Sequence, residues 1–334
     1  MGDENRAAIS VVICTHNRSA FLARALEGLE NQTMPGSSFE TIVVDNASTD
    51  TTEQVAEGWK RRLPNLRYVF ESRLGLSHAR NTGAKLARTR FIAYLDDDAI
   101  PEPGWLDHIL DAFESVRPRP FIVGGRVWLD WGGSPPDWLP RSFWSLYSFV
   151  DYGNEARFLT HDEFLAGANI AFRRDLLLEL GGFDVRLGRK GATLISGEEA
   201  ELVKKAAARD LPVYYEPGAA VRHFIPEERR RRRWLFKRVY WDGASQPVLD
   251  FGDRVPCRKD LWRRIRYDLK VCLVQLAGSG GSLILGRRGE AFRRFLFGTN
   301  RLGRLAMELK LLKHSNRSRR RGECGRKPGG EEIP

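Results

Sequence analysis

Phe91-Ile-Ala-Tyr-Leu-Asp-Asp-Asp98 sets five apolar residues directly against three carboxylates. A short apolar run reads as a buried strand, and like charges crowded at its end repel, more so as they lose water. Two explanations are open for the crowding. One is an N-terminal cap for a helix starting near Gly104, although Pro101 and Pro103 intervene. The other is a divalent cation, because carboxylate oxygens suit hard ions such as Mg²⁺ or Mn²⁺ and leave room for phosphate oxygens.

Outward from that run, the first 95 residues alternate apolar stretches with helical patterns, as parallel βαβ units do. Residues 9–14, 41–44 and 66–70 read as strands. Phe21, Leu22, Ala25, Leu26 and Leu29 recur at helical spacing behind Ser19 as N-cap. Asp50 and Glu53 open a second helix carrying Val55, Trp59 and Leu63, and residues 77–88 make a third despite Gly83. In open α/β sheets the ligand crevice lies beyond the carboxyl ends of the strands. Candidate functional residues therefore fall in 15–18, 45–50, 71–81 and 96–98. Further on, residues 121–129 read as a strand and 131–144 as a long loop. Its aromatics, with Trp128 and Tyr147, suit either a stacking platform or packing on the domain's own surface. Residues 167–172 read as a strand, 176–180 as a helix ended by Gly181-Gly182, 198–209 as a helix, and 213–215 and 219–221 as closing strands.

The 334 residues carry 42% hydrophobic and 29% charged side chains, which excludes a disordered chain or a polytopic membrane protein. Cys14, Cys257, Cys272 and Cys324 form no CxxC pair, which argues against a zinc ribbon or a disulfide framework and for a reducing compartment. No targeting segment is expected from the polar start and the short run at 9–14. The net charge of +11 divides into −6 over residues 1–220 and +17 beyond. A basic C-terminal region implies an anionic partner or a solvated face. The acid-rich first two thirds argue against nucleic acid. Residues 271–286 are apolar but, at 16, short of the roughly 20 a spanning helix needs, so an interfacial element is the membrane-side alternative. Phe292, Phe295, Leu302 and Leu309 mixed with Arg293, Arg294, Arg301 and Lys310 have the pattern of a basic amphipathic helix.

The ordered set Ile9-Ser-Val-Val-Ile-Cys-Thr-His-Asn-Arg18, Thr41-Ile-Val-Val-Asp-Asn-Ala-Ser-Thr-Asp50, Gly75-Leu-Ser-His-Ala-Arg-Asn81, Ala93-Tyr-Leu-Asp-Asp-Asp98 and Gly197-Glu-Glu-Ala-Glu-Leu202 resembles the family 2 glycosyltransferases over roughly residues 8–225. The resemblance implies an α/β GT-A fold, a Rossmann-like nucleotide-binding sheet with an adjoining acceptor-side subdomain. Residues 1–100 would form the nucleotide half and 101–225 the acceptor half. Residues 226–315 would be a basic, largely helical extension, membrane-associated in one reading, and 316–334 a disordered tail.

The same resemblance implies roles. Thr15, Asn17, Arg18, Asp45 and Asn46 would border the nucleotide base, with the Asp45 carboxylate accepting the uracil N3–H; an Asx-turn is the local alternative. Arg80 and Asn81 would lie near the diphosphate, with a surface ion pair as the plainer role for Arg80. Asp96 would contact the ribose side, and Asp97 would also belong to the nucleotide-binding set. Asp98, with Asp96 and His223, would hold Mn²⁺ or Mg²⁺, a hydrogen-bonded structural histidine being the alternative at 223. Gly167, Ala168 and Asn169 would border donor sugar and acceptor. Glu199 would be the base, with Glu198 in reserve, against a capping box in which Glu199 bonds back to the Ser196 amide.

The implied function is inverting, metal-dependent transfer of a sugar from a nucleotide-sugar donor, a UDP-sugar first, to a saccharide or lipid-linked saccharide acceptor. It would serve polysaccharide or glycolipid assembly in the cytoplasm or at the cytoplasmic face of a membrane. No spanning helices follow Arg229–Arg233, which argues against processive synthesis. A sugar-nucleotide nucleotidyltransferase shares such a core but ordinarily needs a glycine-rich phosphate loop, and Thr15-His-Asn-Arg18 has no glycine.

Overall fold

The computed structural model describes residues 7–160, 162–252, 254 and 256–320. Its first part is β1 (Ile9–Thr15), α1 (Ser19–Glu30), β2 (Phe39–Asp45), α2 (Thr52–Trp59), β3 (Leu66–Phe70), α3 (Leu76–Leu86) and β4 (Phe91–Asp96). These four strands pair in parallel in the order β3-β2-β1-β4. β1 and β2 read as near-continuous Val/Ile runs because helices cover both sheet faces. Register sets Thr15 beside Asp45 and Cys14 beside Asp96, so the carboxyl ends finish along one edge. The glycine inside α3 has a packing reason: a Cβ at Gly83 would stand 2.4 Å from Val12 Cγ1 on β1.

The chain continues through β5 (Ala99–Pro101), α4 (Trp105–Ser115), β6 (Ile122–Asp130), β7 (Arg157–Phe158), β8 (Asn169–Arg173), α5 (Arg174–Glu179), α6 (Glu198–Ala207) and β9 (Val213–Phe224). The sheet grows to nine strands, running from β4 through β8, β6 and β9 to β5, with β7 on β9. β8 is antiparallel to both β4 and β6, β9 is parallel to β6, and β5 is antiparallel to β9. One alternative falls away and one expectation changes. The residues after Asp98 form β5 rather than leading into a cap, and α4 starts behind Gly104 with no side-chain cap. The two expected closing strands are one strand, β9, which absorbs Glu216-Pro217-Gly218 through a register shift opposite Gly125 and Val127 of β6. The β5–β9 pairing matters for chemistry because it sets His223 opposite Ala99, and the Phe224 amide donates to the Asp98 carbonyl at 2.8 Å.

The aromatic loop packs on itself. Trp131 and Tyr147 are buried with rings 5.2 Å apart, and Trp144 lies edge-on to Phe149 at 5.5 Å.

Two compact units result, one comprising the chain up to Val185 with Glu198–Glu227, the other Arg186–Gly197 with the chain from Glu228 onward. The first is the sheet and its helices around one large core. The second is built on α7 (Arg232–Phe251), α8 (Arg258–Ile284) and α9 (Arg288–Arg320). Among the described residues its apolar clusters include one of Leu187, Ala244, Val248 and Met307 and another of Leu261, Ile265, Leu305 and Leu312. Between its helices runs a charge network. Asp268 accepts from Arg301 at 2.7 Å, and Asp250 from Arg264 at 2.7 Å and Arg304 at 2.8 Å. Glu308 is fully buried beside them, and burial, then the Asp268 charge, pushes its carboxyl up to about 7 against the pull of Arg304. The apolar stretch at 271–286 is the second half of α8 and the turn after it. No helix among the described residues is long and apolar enough to cross a membrane. The tail expected from Asn316 is helical as far as Arg320, and residues 321–334 lie outside the described residues.

Candidate active site

At the carboxyl edge of β1–β4 the polar residues divide into three neighbouring groups, all within the first unit. The first stitches the loops after β1, β2 and β3 together. Asn17 and Ala47 both hold left-handed backbone, at φ 52° and 61°. Asn17 Oδ1 accepts the Thr49 amide at 2.7 Å, and His16 Nδ1 lies 2.7 Å from the Asn46 carbonyl. The Asn46 side chain donates to the Arg73 carbonyl at 2.8 Å and accepts the Gly75 amide at 2.7 Å. Asp45 is buried. Its Oδ1 accepts the Ser48 amide at 2.8 Å, which is the Asx-type turn, and its Oδ2 accepts Tyr68 Oη–H at 2.8 Å. Each oxygen keeps a second lone pair for a ring N–H. His16 and Gly75 lie in segments the sequence had flagged without a role of their own, and Tyr68 lies outside all of them. Its signal was that of a polar-tipped aromatic on the strand beside Asp45.

The second group is the aspartate run. Asp97 is buried, and its Oδ2 accepts Thr15 Oγ1–H at 2.8 Å while its Oδ1 takes Arg18 at 2.7 Å. Burial raises the Asp97 pKa to about 6, with Arg18 pulling against it and Asp98 adding to it. Arg18 also holds Asp98 at 2.8 Å. The guanidinium is itself desolvated, but Asp97 and Asp98 more than offset this and hold it charged. Thr15 and Arg18, expected against the nucleotide, are thus committed to the aspartates. Arg18 also revises the account of the crowding, since the protein supplies part of the neutralising charge itself.

Asp98 Oδ1 lies 3.0 Å from His223 Nε2, and His223 Nδ1–H donates to the Tyr147 carbonyl at 2.9 Å. That backbone bond fixes the ring with Nε2 turned to the carboxylate, the arrangement by which proteins orient a metal-ligating histidine. A proton or a cation between Nε2 and Oδ1 satisfies both atoms. Asp96, 24% exposed, completes a set whose three ligand atoms lie within 4.8 Å of one another. Two carboxylates and one imidazole, one of them open to solvent, fit a hard or borderline divalent ion.

The third group surrounds Arg80, whose side chain is 2% exposed and is no surface ion pair. It donates to Glu199 at 2.8 Å, Glu198 at 3.0 Å, the Gly167 carbonyl at 3.2 Å and Asp96 at 3.3 Å. Burial opposes its charge, but Glu199, Glu198 and Asp96 around it hold its pKa above the ordinary arginine value. Glu198 and Glu199 open α6, where acidic side chains suit the helix dipole. The capping box does not form: the Ser196 amide donates to Ser245 Oγ at 3.0 Å. Gly167 is required here, since a Cβ would sit 1.8 Å from Glu199 Oε1 and 2.4 Å from Arg80 Nη2.

Three expected residues stand apart. The Asn81 amide is spent on the Phe183 backbone, donating and accepting at 2.8 Å, and so anchors the turn after α5 rather than facing a nucleotide. Asn169 accepts from Trp105 Nε1 at 2.8 Å and donates to the carbonyls of Ala219 and Arg126 at 2.7 and 3.0 Å, which makes it a buried cross-link between strands. Ala168 is buried in the same wall.

The sequence profile of Glycosyl transferase family 2 matches residues 10–181. Glucosyl-dolichyl phosphate glucuronosyltransferase of Haloferax volcanii is 30% identical over 248 residues, 72% of this chain and 77% of that one. Among solved structures, residues 1–349 of S. aureus TarS in complex with UDP align with TM-score 0.53 at 17% identity, over 96% of this chain and 93% of that one. The mannosyltransferase PcManGT from Pyrobaculum calidifontis, in complex with GDP-Man and Mn²⁺, aligns with TM-score 0.53 at 20% identity, over 94% and 87%. The two structural likenesses show the fold, a GT-A sheet followed in this chain by helices α7–α9.

Proposed function

We propose that this chain, which belongs to glycosyltransferase family 2, moves a sugar from a nucleoside diphosphate donor, a UDP-sugar first, to a hydroxyl acceptor by one inverting displacement. The observation that carries this is the junction at Arg80, one buried cation shared by Asp96 of the aspartate corner and by the Glu198-Glu199 pair. In this reading the shared cation would keep a proton acceptor close to the departing diphosphate.

In this reading Asp45 and Asn17 border the base, and Asp45 accepts its ring N–H. Asp96 faces the ribose side. Mn²⁺ or Mg²⁺ held by Asp96, Asp98 and His223 would supply Lewis-acid stabilisation of the charge gathering on the departing diphosphate. Glu199 takes the acceptor's hydroxyl proton as its oxygen forms the bond to the anomeric carbon and the bond to the diphosphate oxygen breaks. Arg80 fixes the carboxylate that receives this proton, and Glu198 buttresses the same guanidinium. Gly167 lets the reacting groups approach the backbone.

For the acceptor we favour a lipid-linked saccharide met at the cytoplasmic face of a membrane. Support comes from the basic helical unit and from a relative whose name carries a dolichyl phosphate sugar. The test is a panel of nucleotide sugars incubated with the chain and Mn²⁺ or Mg²⁺. Release of nucleoside diphosphate from one donor is the expected result. Pyrophosphate release from UTP and a sugar phosphate, with no donor hydrolysed, would replace this reading by a nucleotidyltransferase.

A further inference from the structure

The second unit carries a surface that its own packing leaves uncovered. Leu283, Ile284 and Leu285, at the end of α8 and in the turn before α9, are 60%, 87% and 69% exposed. Leu273, Val274 and Leu276 extend the exposed aliphatic surface back along α8. Exposed basic residues flank it on both sides: Arg287 and Arg288 just past the tip, and Arg263, Arg266 and Lys270 in the first half of α8. Single exposed leucines need no explanation, but a contiguous aliphatic tip with a basic collar does.

We infer that this tip enters one leaflet of an anionic bilayer, with Arg287 and Arg288 meeting the lipid phosphates at its base. The inference deepens the membrane-side reading of the acceptor and rests on it. Two observations select a bilayer as the occupant. The chain beyond residue 220 carries a net charge of +17, complementary to acidic headgroups. Exposed Arg287 and Arg288 stand at the border of the aliphatic surface, where headgroup phosphates would meet it. Length fits as well. The run from Leu273 to Leu285 is about 18 Å at helical rise, too short for a hydrocarbon core of about 30 Å and sufficient to enter one leaflet.

The experiment is vesicle flotation of the full chain with phosphatidylcholine alone and with phosphatidylcholine plus phosphatidylglycerol, at low and high salt. The wild-type chain floats with the anionic vesicles, and less so at high salt. Leu283→Ser, Ile284→Ser and Leu285→Ser combined weakens this about tenfold or more, because three largely exposed aliphatics lose their transfer free energy into the bilayer. Arg287→Glu with Arg288→Glu removes the preference for anionic lipid. Helicity by circular dichroism and donor hydrolysis stay at the wild-type level in both variants. A wild-type chain that does not float overturns both this inference and the membrane-side reading. Flotation that survives the triple substitution overturns the tip alone and leaves that reading standing. Equal flotation on neutral vesicles, or a wild-type dimer abolished by the triple substitution, also overturns the inference.

Discussion

Replacing Arg80 by methionine keeps the length and apolar stem of the side chain and removes only the guanidinium. In the wild type that group is 2% exposed and bonded to Glu199, Glu198 and Asp96, with the Gly167 carbonyl as a fourth acceptor. Without it, a wholly buried carboxylate and two lightly exposed ones lose the cation they share. Removing one partner of a buried ion pair costs about 3–5 kcal/mol. For a unit of this size about 1 kcal/mol moves the midpoint by roughly 2–4 °C, so Arg80→Met should unfold about 10 °C below wild type at neutral pH. The sign of the pH dependence follows from the same contacts. Carboxylates without their cation bind protons more readily in the folded than in the unfolded chain. Protonation relieves the repulsion among them, so the penalty is smaller at acid pH than at neutral pH. Thermal unfolding followed at several pH values reads both effects, and Arg80→Lys, which restores charge without the fork, should fall between. A midpoint within about 1 °C of wild type, far inside the shift that a buried pair implies, or a deficit that does not change with pH, would refute the reasoning.

Gly167→Ala puts a methyl 1.8 Å from Glu199 Oε1. It should lower kcat about a hundredfold through misplacement of the carboxylate, with the KM for donor nearly unchanged in steady-state assays. Glu199→Gln should lower kcat by about two to four orders of magnitude and Glu198→Gln by less; the reverse order in the same assay would exchange their roles. Glu308, raised to about 7 mainly by burial, binds its proton more tightly folded than unfolded. Its contribution to the second unit is full below the unfolded value and is lost as pH climbs through about 7. Glu308→Gln should flatten that part of the stability profile, and an unchanged slope in denaturant titrations would contradict it.

The strand ends were legible because their physics is local. Five apolar residues before Asp96 and the Val/Ile runs before Thr15 and Asp45 announce buried parallel strands, and register follows from pairing them. What lay far apart in sequence was not legible. Arg80 meets Glu198 across 118 positions, and no spacing rule connects them. The grouping of His223 with Asp98 came from the family resemblance alone, since the pairing that brings them together, Ala99–Pro101 on β9, is so short a strand beside two prolines that it leaves no periodic trace. Asn81 and Asn169 misled for the opposite reason. Polar residues beside a crevice suggest ligands, yet buried backbone groups need partners, and these amides supply them. β9 looked like two strands because Pro217 and Gly218 are breakers in sequence, whereas the sheet absorbs them with a shift in register.

On the proposed mechanism Asp96, Asp98 and His223 would hold a divalent ion together with the diphosphate of the donor. Calorimetric titration of Mn²⁺ into the full chain, with and without UDP, tests it most directly. The account predicts one ion per chain, bound more tightly when UDP is present, and lost in Asp98→Asn with the fold intact by circular dichroism. Binding of Mn²⁺ that is indifferent to UDP and unchanged in Asp98→Asn would contradict it.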